Sequence, residues 1–217
     1  INKSIDLTTD ISCVKGADLI LLGIPSSFLR GVCEQAAPFI SPESIILNTS
    51  KGLEADSFKT MSQVAKECFP KNTVAVLTGP SHAEELIDRK FTCLVPASKN
   101  AEAAEKVQKL FSNEEYVRVY TSNDVVGVEA GGAIKNAIAV VSGVSTGLGL
   151  GENARAMLIT RGVKEIVSIV VALGGKMETA YGLSGIGDLI VTASSMNSRN
   201  FQCGLRIGKG MTIDEAV

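Results

Sequence analysis

The sequence predicts an α/β domain followed by an all-α domain, and three observations carry this. From residue 18 to about 121, short apolar runs alternate with amphipathic stretches, the pattern of a mostly parallel, doubly wound sheet. After about residue 123 the strand pattern stops, and stretches rich in Ala, Gly and Val with few turn signals replace it. The predicted domains are therefore 1–122 and 123–217. The third observation is how the first three strands end. The runs at 18–24, 44–48 and 73–77 stop in Pro25-Ser26-Ser27, Thr49-Ser50-Lys51-Gly52 and Thr78-Gly79-Pro80-Ser81. Ligands of open α/β sheets bind just beyond the carboxyl ends of the strands. Three such ends predict one polar crevice, with Lys51 bringing a cation into it.

The remaining elements follow in order. Further strands are predicted at 91–95 and 116–120, and amphipathic helices at 57–68 and 100–111. In the second helix Ala104, Val107, Leu110 and Phe111 share a face. The stretch 153–173 and onward reads as long helices, apolar on most sides. Val163, Ile166, Val167, Val170 and Val171 predict a helix buried in a core, ended by Gly174-Gly175. Gly149-Leu150-Gly151-Glu152-Asn153-Ala154 formally fits a dinucleotide-binding pattern but lacks the preceding strand, and reads as a helix–helix turn. Thr212 and Glu215 read as the N-cap and third residue of a helix opening at the chain's end. With Ile1 at the start, both ends look cut, and a fragment is expected.

Composition narrows the function classes. The chain has 217 residues, 45% hydrophobic and 20% charged, enough for a substantial core. A net charge of -2 gives no support to nucleic-acid binding. The five cysteines are scattered without a CxxC, which reads as reduced thiols in a cytosol-like compartment. One histidine excludes a multi-histidine metal centre, and no metal site is expected. No apolar run is long and uninterrupted enough to argue for a membrane span.

Several polar residues stand out in apolar or glycine-rich surroundings. Lys135 is the only charge between Glu129 and Glu152. Desolvation would lower its pKa and suit it to acid–base work; the alternative is a lysine snorkelling to the surface. Asp188 follows Gly182-Leu183-Ser184-Gly185-Ile186-Gly187, where it either orients a lysine or caps the next helix. In Ser198-Arg199-Asn200, an arginine beside small hydrogen-bonding side chains suits a phosphate; a solvated loop is the alternative. His82 beside Ser81 makes no nucleophilic pair and reads as a loop histidine at the crevice edge.

Six motifs then occur in order: Ser50-Lys51-Gly52-Leu53-Glu54, Thr78-Gly79-Pro80-Ser81-His82-Ala83-Glu84-Glu85, Ile134-Lys135-Asn136, Asn153-Ala154-Arg155-Ala156, Gly185-Ile186-Gly187-Asp188-Leu189 and Ser198-Arg199-Asn200. Together they resemble the soluble NAD(P)-dependent glycerol-3-phosphate dehydrogenase family over nearly the whole chain. The resemblance implies a truncated Rossmann-type parallel sheet, then a helical C-terminal domain like that of 6-phosphogluconate dehydrogenase, with the active site between the domains. It implies reversible hydride transfer between NADH or NADPH and dihydroxyacetone phosphate, giving sn-glycerol 3-phosphate and linking glycolysis to glycerophospholipid synthesis. It makes Lys135 the proton donor or acceptor, with Asp188 and Thr192 lining the reacting centre. It gives substrate contacts to Lys51, Gly79, Ser81, Ser198, Arg199 and Asn200, and cofactor contacts to Phe28, Lys51, Ala83 and Arg199. A cytoplasmic homodimer is the matching expectation.

The chain departs from the family pattern in three places. The glycine-rich fingerprint is expected before Ile1, the helical domain is cut near Val217, and His82 replaces a common phenylalanine. The exact 217-residue chain is therefore expected to bind dinucleotide weakly and turn over poorly. Two other readings stay open: a related β-hydroxyacid or sugar-acid dehydrogenase, against which Ser198-Arg199-Asn200 argues, and a non-enzymatic fragment whose apolar helices only assemble.

Overall fold

The computed structural model describes residues 4–216. The chain divides into two compact units, Ile1–Ala75 and Val76–Val217. The first is built on two parallel strands, β1 (Leu19–Leu22) and β2 (Ile45–Asn48), in register from Leu19 opposite Ile45 to Leu22 opposite Asn48. Every residue of β2 is buried, as its unbroken apolar run requires of a strand covered on both faces. Between the strands lies α1 (Leu29–Ala36), a helix the sequence pattern did not reveal. Its buried face is only Leu29, Cys33 and Ala36, and the polar residues and Gly31 between them hide the period. The next helix, α2 (Met61–Cys68), begins later than the predicted residue 57. Asp56 and Phe58 hold φ of 45° and 54°, outside the helical region, and Thr60 forms a capping box with Gln63. Ile20, Leu22, Leu29, Cys33, Ile46, Met61, Val64 and Phe69 make this unit's core.

The next strand, β3 (Thr73–Thr78), begins in the first unit and ends in the second. With β4 (Thr92–Ser98) and β5 (Val117–Val119) it completes a five-stranded sheet in the order β1-β2-β3-β4-β5. β4 and β5 are parallel, from Thr92 opposite Val117 to Leu94 opposite Val119. β4 runs past the predicted end at 95 and through Pro96. Proline loses only its donor, and the Pro96 carbonyl still accepts from the Ser122 amide at 2.9 Å. Short α3 (Ala83–Ile87) follows β3, and α4 (Ala101–Phe111) follows β4. α4 buries Ala103, Ala104 and Val107, whereas Leu110, expected on that face, is exposed. Strand order follows chain order, so the reversal that defines a doubly wound sheet is not found among the described residues.

The helical half comprises α5 (Val125–Gly147), α6 (Gly151–Ala172), α7 (Met177–Ala180), α8 (Asp188–Ser194), α9 (Arg199–Gly208) and α10 (Ile213–Ala216). α5 packs against α6, α8 and α9. By length and composition alone it could cross a membrane, with a mean hydropathy of 1.4, although Glu129 and Lys135 interrupt it. Half of that stretch is buried inside the protein, with Glu129 and Lys135 buried on it, so its apolarity is that of a core helix. The expectation that α6 is buried most of the way round is corrected. Gly162, Ile166, Val167 and Val170 are buried, while Met157, Ile169, Val171 and Leu173 are exposed. As predicted, Gly149 and Gly151, at φ of 70° and 84°, make the turn between α5 and α6.

Two local devices fix the helices. Asp124 caps α5, accepting from the Gly127 amide at 2.9 Å, and accepts from the Lys176 amide at 2.8 Å, so it ties the start of α5 to the entry of α7. Burial pushes the Asp124 carboxyl up, but the two amides and Thr179 together hold it below the ordinary 3.8. Where α5 crosses α9, glycine faces glycine. A methyl on Gly143 would stand 2.1 Å from the Phe201 carbonyl oxygen, and one on Gly204 would stand 1.9 Å from that of Val140. No side chain fits between the two backbones.

Candidate active site

The helical half brings three predicted residues together. Lys135 projects from the middle of α5, while Asp188 opens α8 and Thr192 lies one turn further on the same face. Lys135 Nζ donates to Asp188 Oδ1 at 2.5 Å and to Thr192 Oγ1 at 2.5 Å. The Thr192 hydroxyl donates to the Asp188 carbonyl oxygen at 2.6 Å. Its single proton is thereby committed, so its oxygen is left to accept from the lysine. All three residues are about 95% or more buried. The carboxylate favours the ammonium form that burial alone would disfavour. Of the two roles the sequence left open, Asp188 takes that of holding the lysine; it is the first residue of α8, whose N-cap is Gly187, and so does not cap the helix. A single π-helical turn, Leu183–Gly187, leads into it. There Gly185 is required, because a Cβ would stand 2.0 Å from the Ala180 carbonyl oxygen. Behind, Ser142 of α5 donates to the Ala193 carbonyl at 2.7 Å and fixes α8 to α5.

Lys135 and Thr192 line a cavity of about 560 Å³, together with His82, Ser198, Arg199, Asn200 and Arg206. Ser198, Arg199 and Asn200 are not a solvated loop; they are the N-cap and first turn of α9. Ser198 Oγ accepts from the Phe201 amide at 3.2 Å, and its own proton is not used in that bond. Arg199 is exposed, so its guanidinium is available to a ligand. Asn200 Nδ2 donates to Asn136 Oδ1 at 2.9 Å, which links α9 to the residue after Lys135. Arg206 is among the lining residues that sequence reasoning missed, and Asn136, known only as part of a motif, was given no role. Adjacency to Lys135 marked Asn136, but its pairing with a residue 64 positions away could not be read. His82 precedes α3, and its Nε2 donates to the Val191 carbonyl at 3.3 Å. Gly79, Ser81 and Ala83 belong to the same unit but do not line this cavity. Gly79 has a φ of 137°, and its Cα lies so close to β4 that a Cβ would stand 2.5 Å from the Cys93 carbonyl oxygen. The Ser81 hydroxyl turns back to the Gly79 carbonyl at 3.1 Å.

Phe28 and Lys51 lie in the first unit. There the ends of β1 and β2 are stitched together. Ser50 Oγ donates to the Ile24 carbonyl at 2.5 Å and accepts from the Ile24 amide at 3.2 Å. Gly52, at φ 139°, abuts the Pro25–Ser26 turn, where a Cβ would stand 3.2 Å from Ser26 Oγ. On this platform Phe28 is 65% exposed and Lys51 half-buried. A bare glycine backbone, an exposed aromatic ring and a cation fit a dinucleotide, which needs close approach, a flat surface and charge for its phosphates.

A mostly parallel sheet that leads into a helical half with a buried Lys–Asp–Thr cluster is the plan of a nicotinamide-dependent dehydrogenase. Comparison with known proteins narrows it. The family profile for the NAD-dependent glycerol-3-phosphate dehydrogenase N-terminus matches residues 1–104, and that for its C-terminus matches 124–217. The glycerol-3-phosphate dehydrogenase [NAD(P)+] of Acholeplasma laidlawii is 53% identical over 220 residues, covering 100% of this chain and 66% of that protein. The one from Clostridium perfringens strain SM101 is 44% identical, covering 99% and 67%. The crystal structure of glycerol-3-phosphate dehydrogenase from Coxiella burnetii superposes with a TM-score of 0.91 at 36% identity, covering 95% of this chain and 63% of that one. The chain belongs to the NAD-dependent glycerol-3-phosphate dehydrogenase family. It spans 58% to 67% of the length of the first curated relatives it matches.

Proposed function

We propose that the whole protein interconverts dihydroxyacetone phosphate and sn-glycerol 3-phosphate with NAD or NADP. One observation carries this: a buried lysine ammonium, held by a carboxylate and a hydroxyl, lines the same cavity as the arginine-bearing first turn of α9. Phe28, Lys51, Ala83 and Arg199 would hold the dinucleotide, which supplies or accepts the hydride when bound. Lys51, Gly79 and Ser81 also contact the substrate. Ser198, Arg199 and Asn200 bind the substrate phosphate, with the guanidinium fork matching its oxygens. Lys135 then faces the carbonyl oxygen, stabilises the developing alkoxide and gives it a proton. Asp188 keeps Lys135 in place, and Thr192 fixes the direction of the ammonium. In the reverse direction Lys135 takes the proton back from the alcohol.

Residues 1–122 serve as the dinucleotide-binding part and 123–217 as the catalytic part. A cytoplasmic homodimer fits the five free cysteines and the exposed apolar residues of α6. The test is NADH loss with the full-length chain on dihydroxyacetone phosphate and on unphosphorylated keto acids. The phosphorylated ketone should be preferred in kcat/KM by roughly 100-fold or more, the scale of losing charged hydrogen bonds. Equal kcat/KM for a keto acid would transfer the protein to the hydroxyacid dehydrogenases.

A further inference from the structure

We propose that Arg30 is a positioning residue for Lys51: its guanidinium straps the loop that carries Lys51 onto α1 and α2. The inference rests on the reading, proposed above, that Lys51 touches cofactor and substrate. Arg30 Nε donates to Glu54 Oε1 at 2.7 Å and Nη2 to Glu54 Oε2 at 2.9 Å, a two-point fork. The same Nη2 donates to Glu67 Oε2 of α2 at 2.8 Å. Glu54 stands three residues after Lys51, so their backbones are at most about 10 Å apart. From Glu54 onward the loop is closed on itself. The Glu54 amide donates to the Lys59 carbonyl at 2.8 Å, the Phe58 amide to the Glu54 carbonyl at 3.0 Å, and Leu53 bridges Thr60. Ser57 Oγ donates to Glu54 Oε2 at 2.5 Å, and Lys59 pairs with Glu67. Asp56 and Phe58, both at positive φ, show that this loop is held in a shape its residues do not prefer.

Lys51 therefore lies between two clamps. Before it, Ser50 is bound to Ile24 at the end of β1. After it, Glu54 is bound to Arg30. Gly52, at a φ that favours glycine, is the pliable point between the two clamps. The strap suits orientation better than stability. The Arg30 and Glu54 side chains are 34% and 22% exposed, and ion pairs at such sites hold a fold only weakly. A planar fork that meets two carboxylates sets direction, which a lysine cannot reproduce.

The test uses the full-length chain with Arg30→Met, Arg30→Lys, Glu54→Gln, Lys51→Met and the Arg30→Met/Lys51→Met double variant. kcat and KM are measured for NADH and dihydroxyacetone phosphate, with thermal melting alongside. Arg30→Met should lower kcat/KM for both by roughly 10- to 100-fold, the scale of a small misplacement of a binding group, with the melting point nearly unchanged. Arg30→Lys should recover only part of the loss. Glu54→Gln should follow the same pattern, which keeps the test valid if Arg30→Met folds poorly. Adding Arg30→Met to Lys51→Met should cost less than about twofold more, the sign of coupled residues. If the two losses multiply, or if Arg30→Met and Glu54→Gln leave the kinetics unchanged while Lys51→Met impairs them, the strap is overturned and the role of Lys51 stands. If Lys51→Met itself is silent, the reading of Lys51 falls and the strap with it. Arg89→Met, which breaks an exposed contact to Glu115 at 3.9 Å, is the control and should change nothing.

Discussion

Arg30 and Lys135 both end on a carboxylate at hydrogen-bond distance, yet they teach opposite things. The Arg30–Glu54–Glu67 network lies at the surface of the first unit, where water competes with every contact. The Lys135–Asp188 pair has side chains only 5% and 2% exposed, and each charge depends on the other. Removing a partner from the first pair frees a side chain into solvent. Removing one from the second strands a charge in the interior. A surface charge network thus weighs little on the fold, whereas a buried pair weighs heavily on it.

The largest effect should come from Lys135→Met. Turnover should fall by about 10² to 10⁴-fold, the range of a positioned acid or base. Loss of the ammonium beside the buried Asp188 should also destabilise the fold by about 3–5 kcal/mol, read by denaturant melts. Lys135→Met with Asp188→Leu should recover most of the stability and none of the activity. If the single variant is as stable as the parent, burial is not what separates the two pairs.

Next comes Gly204→Ala, which asks whether the frame around the buried pair is as intolerant as the pair. The added methyl would meet the Val140 carbonyl at 1.9 Å, so a loss of about 1–3 kcal/mol is expected, read from the midpoint of denaturant unfolding. Asp124→Ala should cost about 1–2 kcal/mol through the lost cap. Acid sets a buried carboxyl against a surface one in the same way. The Arg30 guanidinium and the Ser57 hydroxyl lower Glu54 to about 2. Both carboxyls are depressed in the folded state, so their contributions are present above the ordinary values of 3.8 and 4.5. They fade as pH falls through each folded value. Melting temperature measured from pH 5 to pH 2 should therefore drop, and Asp124→Ala should flatten that drop more than Glu54→Gln does. The smallest effect should be Arg89→Met, within ~0.5 kcal/mol in the same melts.

Sequence carried much of this. The alternation of strand and helix and the change of texture near residue 123 were legible because they repeat over many residues. Lys135 and Asp188 were visible because charge is rare in apolar or glycine-rich runs. α1 was hidden because only three of its residues face inward, and the start of α2 was misplaced because positive φ at Asp56 and Phe58 leaves no mark in composition. Asn136 with Asn200, and Arg30 with Glu54, were illegible for a common reason. Each is an ordinary polar residue whose meaning depends on a partner 64 or 24 positions away. α6 misled because apolar residues all round do not guarantee neighbours all round.

The glycine crossing of α5 and α9 has a mechanical consequence. Backbone rests on backbone at Gly143 and Gly204, so the contact holds neither a void nor a rotatable side chain. Compression acts on empty space, and this joint offers it none. Lys135 on one helix and Arg199 on the other are thus carried by two helices whose backbones meet directly, so their spacing is set by main chain and not by side-chain rotamers.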